Sequence, residues 1–291
     1  MTEKEINEFI TFPKTFEKYK WYKPILVFII GLIINVLLVV TIYFIFSIAY
    51  GENYIDGFLN GGYETLNNAL GTIIIDLSII TMIPSVYIAT KIVKDRPFSS
   101  YASSRGGWNF KLYFKALIIL FILFLAFELI ETAITGQTGT YHFSIPFLII
   151  SLILVPLQCI AEEYVYRGLI MQTFGSWFNI PILALILQSV IFALSHGYNS
   201  LGNVEIFISG LIMGFLAWKT NGIEVSSAFH TANNLSLSLL IMFGLQSAQT
   251  NVTLPDFIVV TIFEIILCII IYYVGKKTDW FGEIPENSQN E

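Results

Sequence analysis

Long apolar runs recur along this chain and constrain its fold more than any other feature. Runs of about 20 residues with few charges are long enough to cross the hydrocarbon core of a bilayer as helices. Only 12% of the 291 residues are charged, whereas charged residues make up about a quarter of a typical soluble domain. Trp and Tyr flank several runs, as is usual at membrane–water interfaces. The sequence therefore predicts an all-α, multi-pass integral membrane protein.

Eight runs are apolar and long enough for us to predict a bundle of about eight transmembrane helices. Their predicted bounds are 24–48, 71–93, 112–135, 146–174, 181–196, 204–218, 225–245 and 257–274. Asp76 and Pro84 interrupt the second run, which predicts a kinked helix with a carboxylate near its end. The segment before the first run lacks an apolar stretch followed by a small-residue cleavage site, so we expect no signal peptide.

The distribution of charge predicts the orientation of these helices. The fifteen Lys and Arg residues lie before the first run, in or near the loops that follow the second, fourth and sixth runs, and after the eighth. The loops between these positions contain no Lys or Arg. Because basic loops stay on the cytoplasmic side of a membrane, both termini are predicted to be cytoplasmic.

The fourth run contains a charged stretch with Glu162, Glu163 and Arg167. Ionisable residues at membrane depth are costly and usually face a protein interior or a watery cavity. Glu163 and Arg167 are four residues apart, with the acid first, which is the favourable order for a helical ion pair. Glu162 lies about 100° further round the helix and is not compensated by Arg167. One anchored and one free carboxylate is the arrangement that a general base needs.

Polar residues in the fifth and seventh runs add to this pattern. His196 ends the fifth run, and His230 and Asn234 lie four residues apart on one face of the seventh. A lone histidine in such a helix is usually a hydrogen-bonded packing residue, but two histidines with a free glutamate and an asparagine favour a catalytic site. A count of rise per residue places Glu162 and His230 at similar depth, and His196 several ångströms further out. His142 lies in a predicted outer loop and is assigned no role.

Both cysteines lie in apolar runs. Cys159 and Cys268 form no disulfide framework and no zinc-finger spacing. Glu162 follows Cys159 by three residues, so the two share a helical face. A free cysteine, however, behaves as a small hydrophobic side chain. We therefore expect Cys159 to be a packing residue and not a nucleophile.

These motifs together resemble a known family, the CAAX protease and bacteriocin-processing (CPBP, or Abi) intramembrane proteases. The resemblance extends over about 146–245 and rests on three motifs in order: Glu162-Glu163-x-x-x-Arg167, Phe192-x-x-x-His196 and His230-x-x-x-Asn234. It implies an eight-helix intramembrane endopeptidase whose cavity opens to the cytoplasm. It also implies that Glu162 activates the hydrolytic water, with His196, His230 and Asn234 completing the site.

The predicted spans divide the chain, and the resemblance names one of its parts. The expected parts are a cytoplasmic N-terminal segment (1–23), three N-terminal transmembrane helices (24–135), a CPBP-like catalytic core of four helices (144–245), an eighth helix (254–275) and a cytoplasmic tail (276–291).

The chemistry of the residues agrees with peptide hydrolysis and leaves the cofactor open. Glu162 could deprotonate water, His230 or Asn234 could donate to the oxyanion, and His196 could hold the water or protonate the leaving amine. Members of the family are often called metalloproteases, and Glu162, His196 and His230 could together bind a divalent metal such as zinc. Glu162 would then not be free as the base, and the chain has no His-Glu-x-x-His. We therefore expect a metal-independent glutamate mechanism.

The sequence says less about the partners of the protein. We expect membrane lipid and a peptide or membrane-protein substrate, and no nucleic acid. The composition, rich in Ile, Phe and Asn, suits an AT-rich bacterial genome, so a bacterial cell membrane is expected and prenylated substrates are not. The resemblance links bacterial members to bacteriocin processing, self-immunity and surface-protein functions.

Two other classes of protein remain as alternatives. A secondary transporter would also place carboxylates and histidines near the membrane middle, but it predicts inverted repeats, which the sequence does not show. A non-catalytic bacteriocin-immunity or scaffold protein predicts the loss of motif residues, and all of them are present.

Overall fold

The computed structural model describes residues 8–61 and 69–282, and no β-strand occurs among them. The all-α prediction is therefore confirmed. A π-helical segment, Tyr164–Met171, joins two of the helices without a break. In chain order the helices are α1 (Lys23–Tyr50), α2 (Glu52–Gly61), α3 (Ala69–Ile80), α4 (Met82–Val93), α5 (Ser99–Ala102), α6 (Phe110–Thr135), α7 (Ile145–Glu163), α8 (Gln172–Phe178), α9 (Pro181–Leu194), α10 (Ser200–Lys219), α11 (Glu224–Met242) and α12 (Leu254–Lys277).

Six helical stretches of the described chain are long and apolar enough to cross a membrane, which confirms a multi-pass membrane protein. They are Lys23–Tyr50, Ala69–Val93, Phe110–Thr135, Ile145–Phe178, Ser200–Lys219 and Leu254–Lys277. Two further predicted spans are present as helices but are not both long and apolar enough to be counted with these six. The apolar α9 has only 14 residues, and α11 is rich in polar side chains. The count of eight spans and the cytoplasmic termini stay predictions.

The helix of the second span is interrupted between Asp76 and Pro84. The helix α3 ends at Ile80 and α4 begins at Met82, with Thr81 between them. Pro84 has no N–H to donate to the carbonyl of Ile80, and its ring crowds that carbonyl, so the helix breaks at this turn. Asn35 of α1 donates to the hydroxyl of Thr81 at 2.7 Å and so ties this interruption to the first span.

The helix α11 is the central element of the bundle and carries His230 and Asn234. It packs against α6, α7 and α10, and nearly all of its first half is buried. The helix α9 pairs with α10, and α3 packs against α7. At the contact between α9 and α10, a Cβ atom at Gly210 would lie 3.1 Å from the side chain of Ser189. Glycine at this position therefore permits the close approach of the two helices.

The N-terminal segment is less exposed than its charged sequence suggests. Phe9, Ile10 and Phe12 are almost completely buried. Ile10 packs so closely against Gly175 of α8 that a Cβ atom at Gly175 would collide with it. In addition, the indole N–H of Trp218 donates to Glu8 at 2.9 Å. The buried part is the continuous stretch 9–13, whereas Trp21 and Tyr22, next to the first span, are exposed.

Candidate active site

The first motif lies where α7 changes into the π-helical segment. Glu162 and Glu163 are the last residues of α7, and the wider helix begins at the next residue. Within it, a Cβ atom at Gly168 would lie 2.5 Å from the carbonyl oxygen of Tyr101. Arg96 donates to the carbonyl of Gly168 at 3.2 Å. The close contact at Gly168 thus fixes a π-helical backbone beside the two glutamates. Turns of this kind are uncommon and often occur at functional sites.

Glu163 and Arg167 form the predicted ion pair. Arg167 Nη1 donates to Glu163 Oε1 at 2.7 Å, and both side chains are fully buried. The guanidinium group also lies over the ring of Phe192, 4.5 Å from its centroid, and a longer contact of 3.4 Å joins it to the carbonyl of Gly210. The charge of Glu163 is thus neutralised inside the protein, and the pair links the first motif to α9 and α10.

His230 lies between the two glutamates. Its Nδ1 is 3.2 Å from Glu163 Oε1, and its Nε2 is 3.4 Å from Glu162 Oε2. An ionised carboxylate can only accept hydrogen bonds, so Nδ1 must carry the hydrogen that it donates to Glu163. The ion pair with Arg167 therefore fixes both the orientation of the imidazole ring and its tautomer, and directs Nε2 towards Glu162.

Glu162 is buried yet has no comparable anchor. Its Oε2 is shielded from solvent and has no hydrogen-bond partner within the described part of the chain, and the 3.4 Å to His230 is long for a hydrogen bond. In the neutral imidazole, Nε2 and the carboxylate oxygen are both acceptors, so a water molecule or a proton between them would satisfy both. This matches the expectation of one anchored and one free carboxylate.

Asn234 lies one turn after His230 and faces α7. Its side-chain N–H donates to Gln158 Oε1 at 3.3 Å, and its carbonyl oxygen accepts from Asn233 at 3.2 Å. Gln158 also accepts from the buried thiol of Cys159 at 3.3 Å. An amide nitrogen carries two hydrogens, so the second N–H of Asn234 stays available for a ligand.

His196 reaches the site by a different route from the other motif residues. It follows the end of α9, and its Nδ1 is 2.7 Å from the carbonyl oxygen of Phe192. The ring of Phe192 packs against His196 at 4.7 Å and against His230 at 6.0 Å. Nearby, Tyr166 of the π-helical segment donates to Ser195 at 2.8 Å. The Phe192 ring thus connects the two histidines, and Nε2 of His196 is left for a ligand.

The arrangement of these side chains does not fit a zinc site with three protein ligands. Catalytic zinc usually takes three His, Cys or carboxylate ligands and a water. Glu162 and His230 are neighbours, whereas the contacts that the structure gives His196 are with Phe192, Ser195 and Tyr198. Across residues 8–61 and 69–282, no three such side chains are grouped to hold a metal ion.

Four residues near the site were not singled out for it from the sequence. Gln158, Tyr166 and Ser195 are neutral polar residues that fit many environments, so they give little signal. The sequence predicts Asp76 as a carboxylate near a helix end, and the structure buries it on α3, which packs against α7. Its charge inside an apolar run was the available signal, but nothing in the sequence placed α3 beside α7.

The fold and the site together define a multi-pass membrane protein with a buried glutamate–histidine centre. Residues 143–236, which contain all three motifs, match the family described as Type II CAAX prenyl endopeptidase Rce1-like. The match confirms the CPBP resemblance predicted from the motifs.

A bacterial relative shares part of the sequence. The chain is 29% identical over 171 residues to the uncharacterized protein YyaK of Bacillus subtilis (strain 168). The alignment spans 55% of this chain and 57% of that protein, so it extends over little more than half of the relative. No solved structure matches the chain.

Proposed function

We propose that the protein is an intramembrane endopeptidase that hydrolyses a peptide bond of a membrane-associated protein or peptide. The observation that carries the proposal is the contrast between two adjacent buried glutamates. Glu163 is neutralised by Arg167, whereas the only basic side chain that contacts Glu162 among the described residues is His230, at 3.4 Å. The match to a family described as an endopeptidase supports the reaction class.

Glu162 acts as the general base in this proposal. A water molecule between Glu162 and Nε2 of His230 gives up a proton to the carboxylate, and its oxygen attacks the carbonyl carbon of the peptide bond. The electron pair of the carbonyl moves to its oxygen, which becomes an oxyanion. Because Arg167 and Glu163 hold His230 rigidly, the water is positioned before the reaction starts.

The other motif residues act on the tetrahedral intermediate. The second side-chain N–H of Asn234 is a donor for the oxyanion, and such donors are worth about 100- to 1000-fold in turnover. When the intermediate collapses, the C–N bond breaks and the leaving nitrogen takes up the proton that Glu162 received. His196, which keeps Nε2 free, is the residue proposed to carry this proton to the leaving amine.

The surroundings of the site favour a substrate that is itself associated with the membrane. The helices that enclose the site expose apolar side chains over much of their outer surface, among them Ile122 of α6 and Ile153 of α7. These surfaces suit contact with lipid. A peptide that reaches Glu162 between such helices must leave water, which favours apolar or lipid-anchored segments.

The test compares membranes from cells that produce wild type, Glu162→Gln or His142→Gln, with peptide termini determined by mass spectrometry. Gln keeps the shape of Glu but cannot take up a proton, so we expect a peptide bond that is cut with wild type and His142→Gln and intact with Glu162→Gln. Cutting of the same bond by Glu162→Gln would contradict the proposal. Identical termini in all three membranes would favour the scaffold or immunity alternative.

A further inference from the structure

The connection between the second and third predicted spans, residues 95–109, is largely polar in sequence, yet much of it is buried. Asp95, Arg96, Ser103 and Ser104 are each at most 6% exposed. Charged side chains are unfavourable in a protein interior unless they are paired and hydrogen-bonded. Several partners of this connection lie on the two elements that carry the first and third motifs.

Arg96 binds the π-helical segment at its C-terminal end. Its Nη2 donates to the carbonyl of Gly168 at 3.2 Å, and its Nη1 donates to the side chain of Gln172, the first residue of α8. The guanidinium group also lies 3.6 Å from the centroid of the Tyr101 ring, and Asp95 Oδ2 lies 3.5 Å from its Nε. The orientation of Arg96 is therefore fixed by its own connection, and two of its donors are directed at the segment.

The bond to Gly168 favours the π-helical form of the segment. In an α-helix, the carbonyl of Gly168 would accept from the backbone N–H of Gln172. In the structure this N–H donates to the carbonyl of Leu169. A buried carbonyl needs a donor, and Arg96 provides one for Gly168. Arg96 therefore stabilises the segment in a form that an uninterrupted α-helix would not adopt.

The form of this segment matters for the active site because Arg167 directly precedes Gly168. Arg167 binds Glu163 at 2.7 Å, and Glu163 lies 3.2 Å from His230 Nδ1. A turn with i→i+5 bonds holds one residue more than an α-helical turn, so a change of form rotates the residues of the segment about the helix axis. Such a rotation would displace the guanidinium group of Arg167 and, through Glu163, the imidazole ring of His230.

The same connection also fixes the start of α11, the helix that carries His230. The N–H of Ile223 donates to the carbonyl of Ala102 at 2.8 Å. Arg105 binds Glu224, the first residue of α11, at 2.9 Å, and the two side chains are only 8% and 0% exposed. His230 lies less than two turns further along this helix. Residues 95–109 thus contact both the element of the first motif and the element of the third.

We propose that Arg96 and Arg105 are positioning residues of the active site, which hold the π-helical segment and the start of α11 in the relation that directs His230 at Glu162. The connection lies outside residues 143–236, the segment that matches the family. The N-terminal half of the chain thereby contributes to the geometry of the site as well as to the fold. The catalytic meaning of this inference rests on the proposed function, but the positioning does not.

Hydrogen–deuterium exchange tests the positioning without a substrate. The purified protein is exchanged in lipid nanodiscs, digested and examined by mass spectrometry. Arg96→Met fills much of the space but donates no hydrogen bond, so the backbone amides of 164–173 should exchange faster by about tenfold or more. Arg105→Met should have the same effect at 224–230 and not at 164–173. Lys91→Met, which removes an exposed positive charge five residues before Arg96, is the control and should change neither region.

The pattern of exchange separates positioning from overall stability. Exchange at 164–173 that is as slow in Arg96→Met as in wild type would overturn the proposal. A rise of equal size in α12 would also overturn it, because that pattern indicates a loss of overall stability. Gln172→Met removes only one of the two bonds and should raise exchange in the same amides by about threefold. It decides the question if Arg96→Met does not fold.

The catalytic effect is measured on the peptide bond found with the Glu162→Gln comparison. Below the temperature at which either variant unfolds, Arg96→Met and Arg105→Met should lower kcat by about tenfold or more with little change in KM. Arg96→Lys keeps the charge and a single donor group, so it should recover part of kcat. Unchanged kcat in both Met variants would show that the two arginines only stabilise the fold. Normal cleavage by Glu162→Gln would refute the proposed function alone, since the exchange pattern decides the positioning independently.

Discussion

Replacing Arg167 by Met tests whether the buried ion pair holds the active site together. Arg167 is fully buried, binds Glu163 at 2.7 Å and lies over the ring of Phe192. Methionine is a flexible side chain that can fill much of the space but brings no charge. Glu163 would then remain inside the protein as an anion that has lost its guanidinium partner but keeps its contact with His230.

The structure gives an approximate size for the effect. Removing one partner of a buried ion pair costs about 3–5 kcal/mol, because the other charge is left uncompensated. At about 2–4 °C per kcal/mol, the thermal midpoint should fall by about 6–20 °C. The double variant Arg167→Met/Glu163→Gln removes the stranded charge as well, so it should recover part of this loss.

A thiol-reactive dye can follow unfolding in detergent, because Cys159 and Cys268 are free and buried. Lys91→Met is the matched control, since Lys91 is exposed and its loss should cost at most about 0.5 kcal/mol. A midpoint for Arg167→Met within about 2 °C of wild type would refute the reasoning. A double variant no more stable than the single one would refute the stranded-charge explanation.

Four further predictions concern topology, catalysis, metal and packing. Reporters fused at Asn60, Gly139 and Asn199, in three predicted outer loops, should read as external. A cytoplasmic signal at any one of them would overturn the eight-span count. Asn234→Ala should lower turnover by about 100- to 1000-fold with metal content unchanged. Exhaustive chelation should leave activity intact. If elemental analysis instead finds one equivalent of zinc in wild type and none in His230→Ala, the protein has a metal site. Gly168→Ala should cost about 1–3 kcal/mol of stability by overpacking against Tyr101, measured by the same thermal assay; an unchanged midpoint would count against that contact.

The membrane class and the ion pair could be predicted because each follows from a simple physical rule. Lipid offers no hydrogen bonds, so apolar runs of sufficient length must form helices or closed barrels. Glu163 and Arg167 pair because a helix brings residues four apart together, and they do so here although Arg167 lies in the π-helical segment. The spacing of His230 and Asn234 likewise places both on one face of α11.

Other features depend on tertiary packing that spacing does not reveal. The depth count for His196 assumed a helix that continues to that residue, but α9 ends at Leu194. His196 approaches the site through the Phe192 ring instead. The burial of Asp76 likewise accompanies the packing of α3 against α7, two elements more than 60 residues apart in the chain.

The central claim is that Glu162 drives hydrolysis of a peptide bond, and heavy-oxygen water tests this most directly. Membranes containing wild type or Glu162→Gln are incubated in this water, and new C-terminal carboxylates are examined by mass spectrometry. Hydrolysis places an oxygen atom from water on the new carboxylate. We predict heavy-oxygen C-termini with wild type and none at the same position with Glu162→Gln. Equal incorporation with both proteins would contradict the account.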